Sequence, residues 1–352
     1  MSALSEAKGT ASPLRRIAGG LVVVVGIILL ITTFTNNLFK VGPAFEEMID
    51  DFRPMLAEES IATAKADLAM LGEVGTEFQT AIVPAMSQQL GMTPDEFVGF
   101  TAANFPDVAN GVQALPEIVT TFNGLVDTLD QQRELFDSAD QIPTKNLPAT
   151  TVPWGLALAG LALIAAGYFL YKPGWLGLSI TGSLGVLIIV VTLILTLIPK
   201  AADADELNDN LRPIYTAELV AQAEGALGTV GAMGTQMQTE MLPALAQQLG
   251  MSQDELNGFL GANFPATAQA LATLPDAMGR FEGLVTTFDN NLDNYNTLKD
   301  VEFTPIIWTL FLSGWVALLA FGLAWWSDRR SNLAMGTANP VDRLGLKEEV
   351  KV

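Results

Sequence analysis

The sequence predicts an all-α integral membrane protein in which four transmembrane helices carry two homologous helical extracytoplasmic domains, as a tandem parallel duplication. Three observations lead there. The stretch Gln88–Pro116 returns as Gln247–Pro275 at an offset of 159 without a gap, and sixteen of the twenty-nine paired residues are identical. A repeat of this kind sets the architecture before any local pattern is weighed. Four long apolar runs contain no Asp, Glu, Lys or Arg. The charges elsewhere are partitioned, with a basic excess in the short connecting pieces and a strong acidic excess in the two long loops.

Composition narrows the chemistry. Half of the 352 residues are apolar and only 16% are charged, against about a quarter in soluble domains. A net charge of −20 argues against nucleic acid, whose phosphates need a basic surface. Cys and His are both absent. That excludes disulfides, thiolate zinc sites and thiol nucleophiles, and it removes the commonest general base. No phosphate-binding loop or nucleophile elbow is present either.

Taken in order, residues 1–16 form a tail, and 17–39 a first span built on the uncharged run Ile17–Phe34. About twenty helical residues cross the ~30 Å hydrocarbon core. Arg15 and Arg16 precede this run as they would a secretory signal, but no small-x-small cleavage site follows, so it reads as an uncleaved span. The others are expected at 152–171, 175–199 and 305–327, with 172–174 as a turn and 328–352 as a second tail. The tails and the Lys172 turn hold nine basic and five acidic residues, whereas 40–151 holds five and eighteen, and 200–304 holds four and fifteen. The positive-inside rule therefore places both tails in the cytoplasm of a plasma membrane and both long loops outside. Trp154, Trp175, Trp325 and Trp326 sit near span ends, where amphipathic rings favour the interface. Because both copies cross in the same direction, a pseudo-two-fold axis along the membrane normal is implied.

Each outside domain reads as helical. Met48, Phe52, Met55, Ile61, Ala64, Leu68, Leu71, Val74, Phe78 and Ile82 keep a three-to-four spacing, in one long helix or two broken near Pro54. Pro84 and Pro243 predict a kink, because proline lacks the donor and clashes with the preceding turn. Gly91 and Gly250 are expected to close these helices in the left-handed conformation. Thr93-Pro94-Asp95-Glu96 and Ser252-Gln253-Asp254-Glu255 read as capping boxes. A short helix then runs to Asn104 or Asn263, and Phe105-Pro106 or Phe264-Pro265 breaks and restarts the chain. A second break is expected at Leu115-Pro116 and Leu274-Pro275, with longer helices Glu117–Asp137 and Asp276–Tyr295 returning to the membrane.

Few residues suggest chemistry. Glu46, Glu47 and Asp50 match Asp205, Glu206 and Asp209 in the second copy, with Asp51 and Asp203 nearby. Spacings of three and four put such carboxylates on one helical face, and an all-oxygen cluster suits Ca²⁺ or Mg²⁺; the alternative is a solvated face. No other cofactor is implied. Arg53 and Arg212 recur before proline and are candidates for contact with a lipid phosphate or a partner carboxylate, or for pairing with the acids one turn back. Met233, Met237 and Met241 form a soft stripe that suits a lipid or a partner helix, although Val74, Phe78 and Ile82 at the matching positions make them equally good core. The spans contain no ionisable group of the kind that proton relays and coupled transport use. Their glycines, Gly19, Gly20, Gly26, Gly155, Gly160, Gly182 and Gly185, suit close helix packing. The expected function is a non-enzymatic envelope scaffold or accessory subunit whose partners are membrane lipids, further copies of itself or another membrane protein. The alternative is a lipid or hydrophobe carrier with a groove between the repeats.

Overall fold

In the computed structural model, residues 12–144 and 146–337 are described, and they are helical with no β-strand; the only pairing of that kind is an isolated bridge between Thr144 and Leu147. The chain separates into two compact units. Among the described residues, one comprises those up to Glu46, those between Ser138 and Asp205 and those after Lys299, and the other comprises Glu47–Asp137 with Glu206–Lys299.

The first unit holds four helices long and apolar enough to cross a membrane: α1 (Pro13–Thr35), α8 (Thr151–Leu170), α9 (Trp175–Ile194) and α16 (Phe303–Thr337). Between 33% and 39% of each apolar window is buried, so most of these side chains, Leu21, Val24, Ile28 and Ile31 of α1 among them, face outward. In hydrocarbon such an outward face would be favourable, and helices there associate through close packing. They do so through glycine. A Cβ on Gly26 would stand 2.6 Å from the carbonyl oxygen of Gly160, and one on Gly167 would stand 2.6 Å from that of Gly19. The α9–α16 pair repeats the contact, with Gly185 against the Gly314 carbonyl at 2.8 Å. Gly155, expected to pack, instead meets nothing within 4 Å.

Two spans are shorter than the apolar runs imply. The first ends at Thr35 and the third at Ile194, each followed by a residue in left-handed conformation, Asn37 (φ 52°) and Thr196 (φ 49°). New helices then start, α2 at Leu38–Phe52 and α10 at Leu197–Leu211. Hydropathy does not register a single reversed φ, so the apolar run continued across the break. At its other end α16 extends past the expected 327. Arg329 and Arg330 stack on Trp325 and Trp326 at 3.9 and 3.7 Å. The tail residues Arg343 and Lys347 and residues 1–11 lie outside the described residues.

In the second unit the elements recur at the 159-residue offset. Helix α3 (Glu58–Glu77) corresponds to α11 (Ala217–Gln236), α4 (Val83–Leu90) to α12 (Leu242–Leu249), α5 (Pro94–Asn104) to α13 (Gln253–Asn263), and α6 (Pro106–Gln131) to α14 (Pro265–Asn290). The prolines Pro84 and Pro243 produce a π-turn, at Phe78–Ile82 and Met237–Met241, and the helix continues without breaking. A wider turn absorbs the ring and the lost donor. Both capping boxes form. Glu96 and Glu255 accept the Thr93 and Ser252 backbone N–H groups at 2.7 and 2.8 Å, which holds both carboxyls below their ordinary pKa. Gly91 and Gly250 cap in left-handed geometry at φ 66° and 67°.

The breaks expected at Pro116 and Pro275 do not occur, since α6 and α14 run through both residues. Leu115 is 1% exposed and lies along Gly75 of α3, so burial on that side holds the turn helical despite the proline. The expected return helices, 117–137 and 276–295, are accordingly the second parts of α6 and α14, interrupted for one residue at Gln132 and Asn291 before α7 (Arg133–Ala139) and α15 (Leu292–Leu298).

Helices α3, α6, α11 and α14 form a ring in that order, each packing on the next. Phe122 of α6 and Phe281 of α14 close its centre edge to face, at 5.2 Å. Of the ten positions read as one apolar face, eight are buried; Met55 and Ala64 are half-buried.

Candidate functional site

The juxtamembrane acids have local partners. Glu46 accepts the Thr150 backbone N–H at 3.3 Å, at the entry of α8. Its counterpart Asp205 accepts those of Phe303 and Thr304 at 2.7 and 2.9 Å, at the entry of α16. Each therefore satisfies orphan donors at the start of the second span of its repeat. Asp203 takes a hydrogen bond from Ser138, and Asp51 one from Asn291. Asp50 pairs with Arg53 at 2.8 Å and Asp209 with Arg212 at 3.6 Å, so these arginines hold the acids one turn back, and Arg212 also donates to the Lys299 carbonyl. Glu47 and Glu206 are exposed. Among the described residues no group of three Asp or Glu stands close enough to hold a metal ion. Asp205→Ala is expected to cost about 1–2 kcal/mol, the usual worth of a helix cap, and Asp205→Asn less. Thermal unfolding in detergent should show the same loss in chelator and in excess Ca²⁺.

Met233, Met237 and Met241 are buried, at 3–4% exposure. Met233 lies against Gly111 of α6, where a Cβ would stand only 2.5 Å from its own. Met233 therefore sits at a seam between the two halves of the ring, and Met237 and Met241 are buried core.

Other cross-repeat contacts use residues that carried no motif. The Glu77 carboxylate, at the end of α3, accepts the Thr267 N–H at 2.7 Å and the Ala266 N–H at 3.3 Å, capping α14 of the other repeat. Gln236, at the offset position on α11, accepts those of Asp107 and Val108 at 2.8 and 3.2 Å, capping α6 in return. Arg280 of α14 makes a two-pronged pair with Asp67 of α3, at 2.8 and 2.9 Å. The available signal was the recurrence of a polar residue directly before Phe78 and Met237. On the flank of this unit, Lys65 bridges Asp130 and Asp127, which raises its pKa, and the same pairing holds Asp130 low.

The first unit contains an apolar cavity of about 60 Å³. Both repeats line it, with Leu38, Phe45 and Pro153 from one and Leu197, Ala201 and Ile307 from the other. Near it in sequence, Lys200 donates to the Gln141 carbonyl at 2.8 Å, and burial lowers its pKa. The sequence matches no protein-family profile and no curated protein.

Proposed function

We propose that the chain is a non-enzymatic cell-envelope scaffold or accessory subunit, produced by tandem duplication, whose two helical domains lie outside the membrane and bind another protein or further copies of the same chain. The observation that supports this best is the reciprocal capping by Glu77 and Gln236. Together with the Asp67–Arg280 pair and the buried methionines, it makes the two domains one interlocked platform. A rigid platform on short cytoplasmic connections suits presentation of a surface. The basic excess of the tails and the Lys172 turn supports the orientation.

The chain has no cysteine, so topology is readily tested. Ala103→Cys and Ala262→Cys place thiols at exposed, equivalent positions. Both are expected to react with an impermeant maleimide on intact cells. If either reacts only after permeabilisation, the orientation is wrong. Chemical cross-linking followed by purification in mild detergent should recover the chain with a partner or as an oligomer, and recovery as a lone monomer would remove the scaffold reading.

A second reading, a carrier of lipid or another hydrophobe, draws on the apolar cavity shared by the repeats. At about 60 Å³ it accommodates part of one acyl chain at most. Native mass spectrometry of wild type and Ala201→Phe tests it, because a carried lipid should disappear from the filled variant.

A further inference from the structure

The two halves of the helical ring differ at one pair of equivalent places. In the second repeat, Ile214, Leu219, Val220, Val285 and Phe288, with Phe122 from the first, pack so closely that only about 10 Å³ is left between them. Subtracting the offset of 159 gives Met55, Ser60, Ile61, Val126 and Leu129, and these residues, with Phe281, line a groove of about 410 Å³. The floor is conserved in character, since Ile61 matches Val220, Val126 matches Val285 and Phe281 matches Phe122. The difference lies in the plugs. Ser60 stands where the second copy has Leu219, and Leu129 where it has Phe288. Both changes remove apolar volume, and the space they vacate stays open.

An unfilled apolar groove costs stability, because its lining forfeits dispersion contacts; its floor residues Ile61, Val126, Leu129 and Phe281 are themselves buried. In the second repeat the equivalent helices accommodate the larger side chains. The volume falls within the ~300–1,000 Å³ range of ligand clefts, and Met55, half-buried at the edge, is a flexible side chain that adapts to an occupant. The walls determine the charge. Over 58–67, 126–133 and 279–284 there are six carboxylates against three cations. Each cation is already engaged within the walls: Lys65 by Asp127 and Asp130, Arg133 by Glu58 and Asp130, and Arg280 by Asp67. Glu59, which lines the groove, and Glu282 beside it are exposed.

We propose that this groove is the docking site of the scaffold for a cationic amphipathic segment of a partner polypeptide, whose apolar side chains enter between Ile61, Leu129 and Phe281 while its Lys or Arg residues meet Glu59 and Glu282. The proposal rests on the scaffold reading and names its partner class. Grooves of this type take the apolar face of a helix, and the mixed lining of Glu59, Ser60 and Thr63 along α3 suits a polypeptide better than an acyl chain.

The test uses the full-length protein in lipid nanodiscs and a fluorescent fourteen-residue helical peptide of Leu, Ala and Lys. Its Lys-to-Gln analogue and the neutral dye Nile red serve as companion probes. The variant Ser60→Leu with Leu129→Phe installs the residues of the second copy without changing charge, and its melting temperature reports folding. Wild type is expected to bind the Lys peptide at least tenfold more tightly than this variant, and more tightly than it binds the Gln analogue. The reverse variant, Leu219→Ser with Phe288→Leu, should gain a second equivalent of peptide. Equal binding by the filled variant, or no binding by folded wild type, overturns the proposal. Nile red uptake that is lost on filling, without peptide binding, overturns it in favour of a hydrophobe. Cross-linking in cells separates the two claims: wild type recovered alone removes the scaffold, whereas the same partners recovered with wild type and with the filled variant remove the groove.

Discussion

Gly26→Leu is expected to separate α1 from α8 and to lower the stability of the first unit by roughly 3 kcal/mol, at the upper end of overpacking penalties. The added Cβ alone would stand 2.6 Å from the Gly160 carbonyl oxygen and 2.9 Å from a side-chain carbon of Ile164. The first of these is backbone and cannot turn away, so the helices must move apart. In lipid, no hydrophobic force pulls them back, because the tails are as apolar as the side chains. The loss therefore includes the rest of the seam, where Gly19 and Gly167 also touch across backbones. Gly185→Leu should act likewise on α9 and α16, and by less, since the matching approach is 2.8 Å. Gly155→Leu is the control, with open space around it, and should leave stability within ~0.5 kcal/mol of wild type, as is usual for a surface substitution. Denaturation of the full chain in micelles, followed by tryptophan fluorescence, distinguishes the three. A Gly26→Leu protein as stable as the control would refute the packing described for this unit.

Arg15→Gln is expected to destabilise the protein by about 3 kcal/mol, whereas Arg16→Gln, which removes the same charge one residue away, should have little effect. Arg15 is 2% exposed, and its guanidinium joins three elements. Nε donates to the Leu170 carbonyl at 2.8 Å, one terminal nitrogen donates to the Gly174 carbonyl at 2.6 Å, and the other pairs with Asp328 of α16 at 2.5 Å. Removing one member of a buried pair typically costs 3–5 kcal/mol, because the remaining groups lose their partner away from water. The lower figure applies because Asp328 keeps about a third of its side chain exposed. Arg15→Lys should rescue little, since an ammonium cannot place three donors in a fixed fork. Topology mapping alongside unfolding separates the roles. If both glutamine variants insert correctly and only Arg15→Gln unfolds early, the buried anchor is distinct from the orientation signal.

Local grammar was legible wherever the cause of a structure lay within a few residues. Thr93 with Glu96 and Ser252 with Glu255 close the capping boxes they spell, and Asn104 and Asn263 end the helices expected to end there. The acids Glu46 and Asp205 were visible as a repeated pair, but their use was not. Their donors lie about a hundred residues on, at Thr150 and Phe303, and spacing along one helix offered only a solvated face or a shared cation. Arg53 and Arg212 were read correctly in one of their two senses, because their partners are one turn away. Pro116 and Pro275 misled in the opposite direction. The local preference against helix before proline was outweighed by packing, for Leu115 on Gly75, from a helix forty residues earlier in the chain.

By itself the sequence determined that four apolar helices would form, that two matched segments of capped helices would separate them, and where most helices begin and end. These follow from hydropathy, proline and glycine geometry and side-chain caps, all of which act over a turn or two. Only the tertiary structure decided that Glu77 and Gln236 cap each other's repeats, that Met233 packs on Gly111 of the other repeat, and that one of two equivalent grooves stays open. Each of those depends on which helix lies opposite, and pattern along a single chain does not encode what faces it.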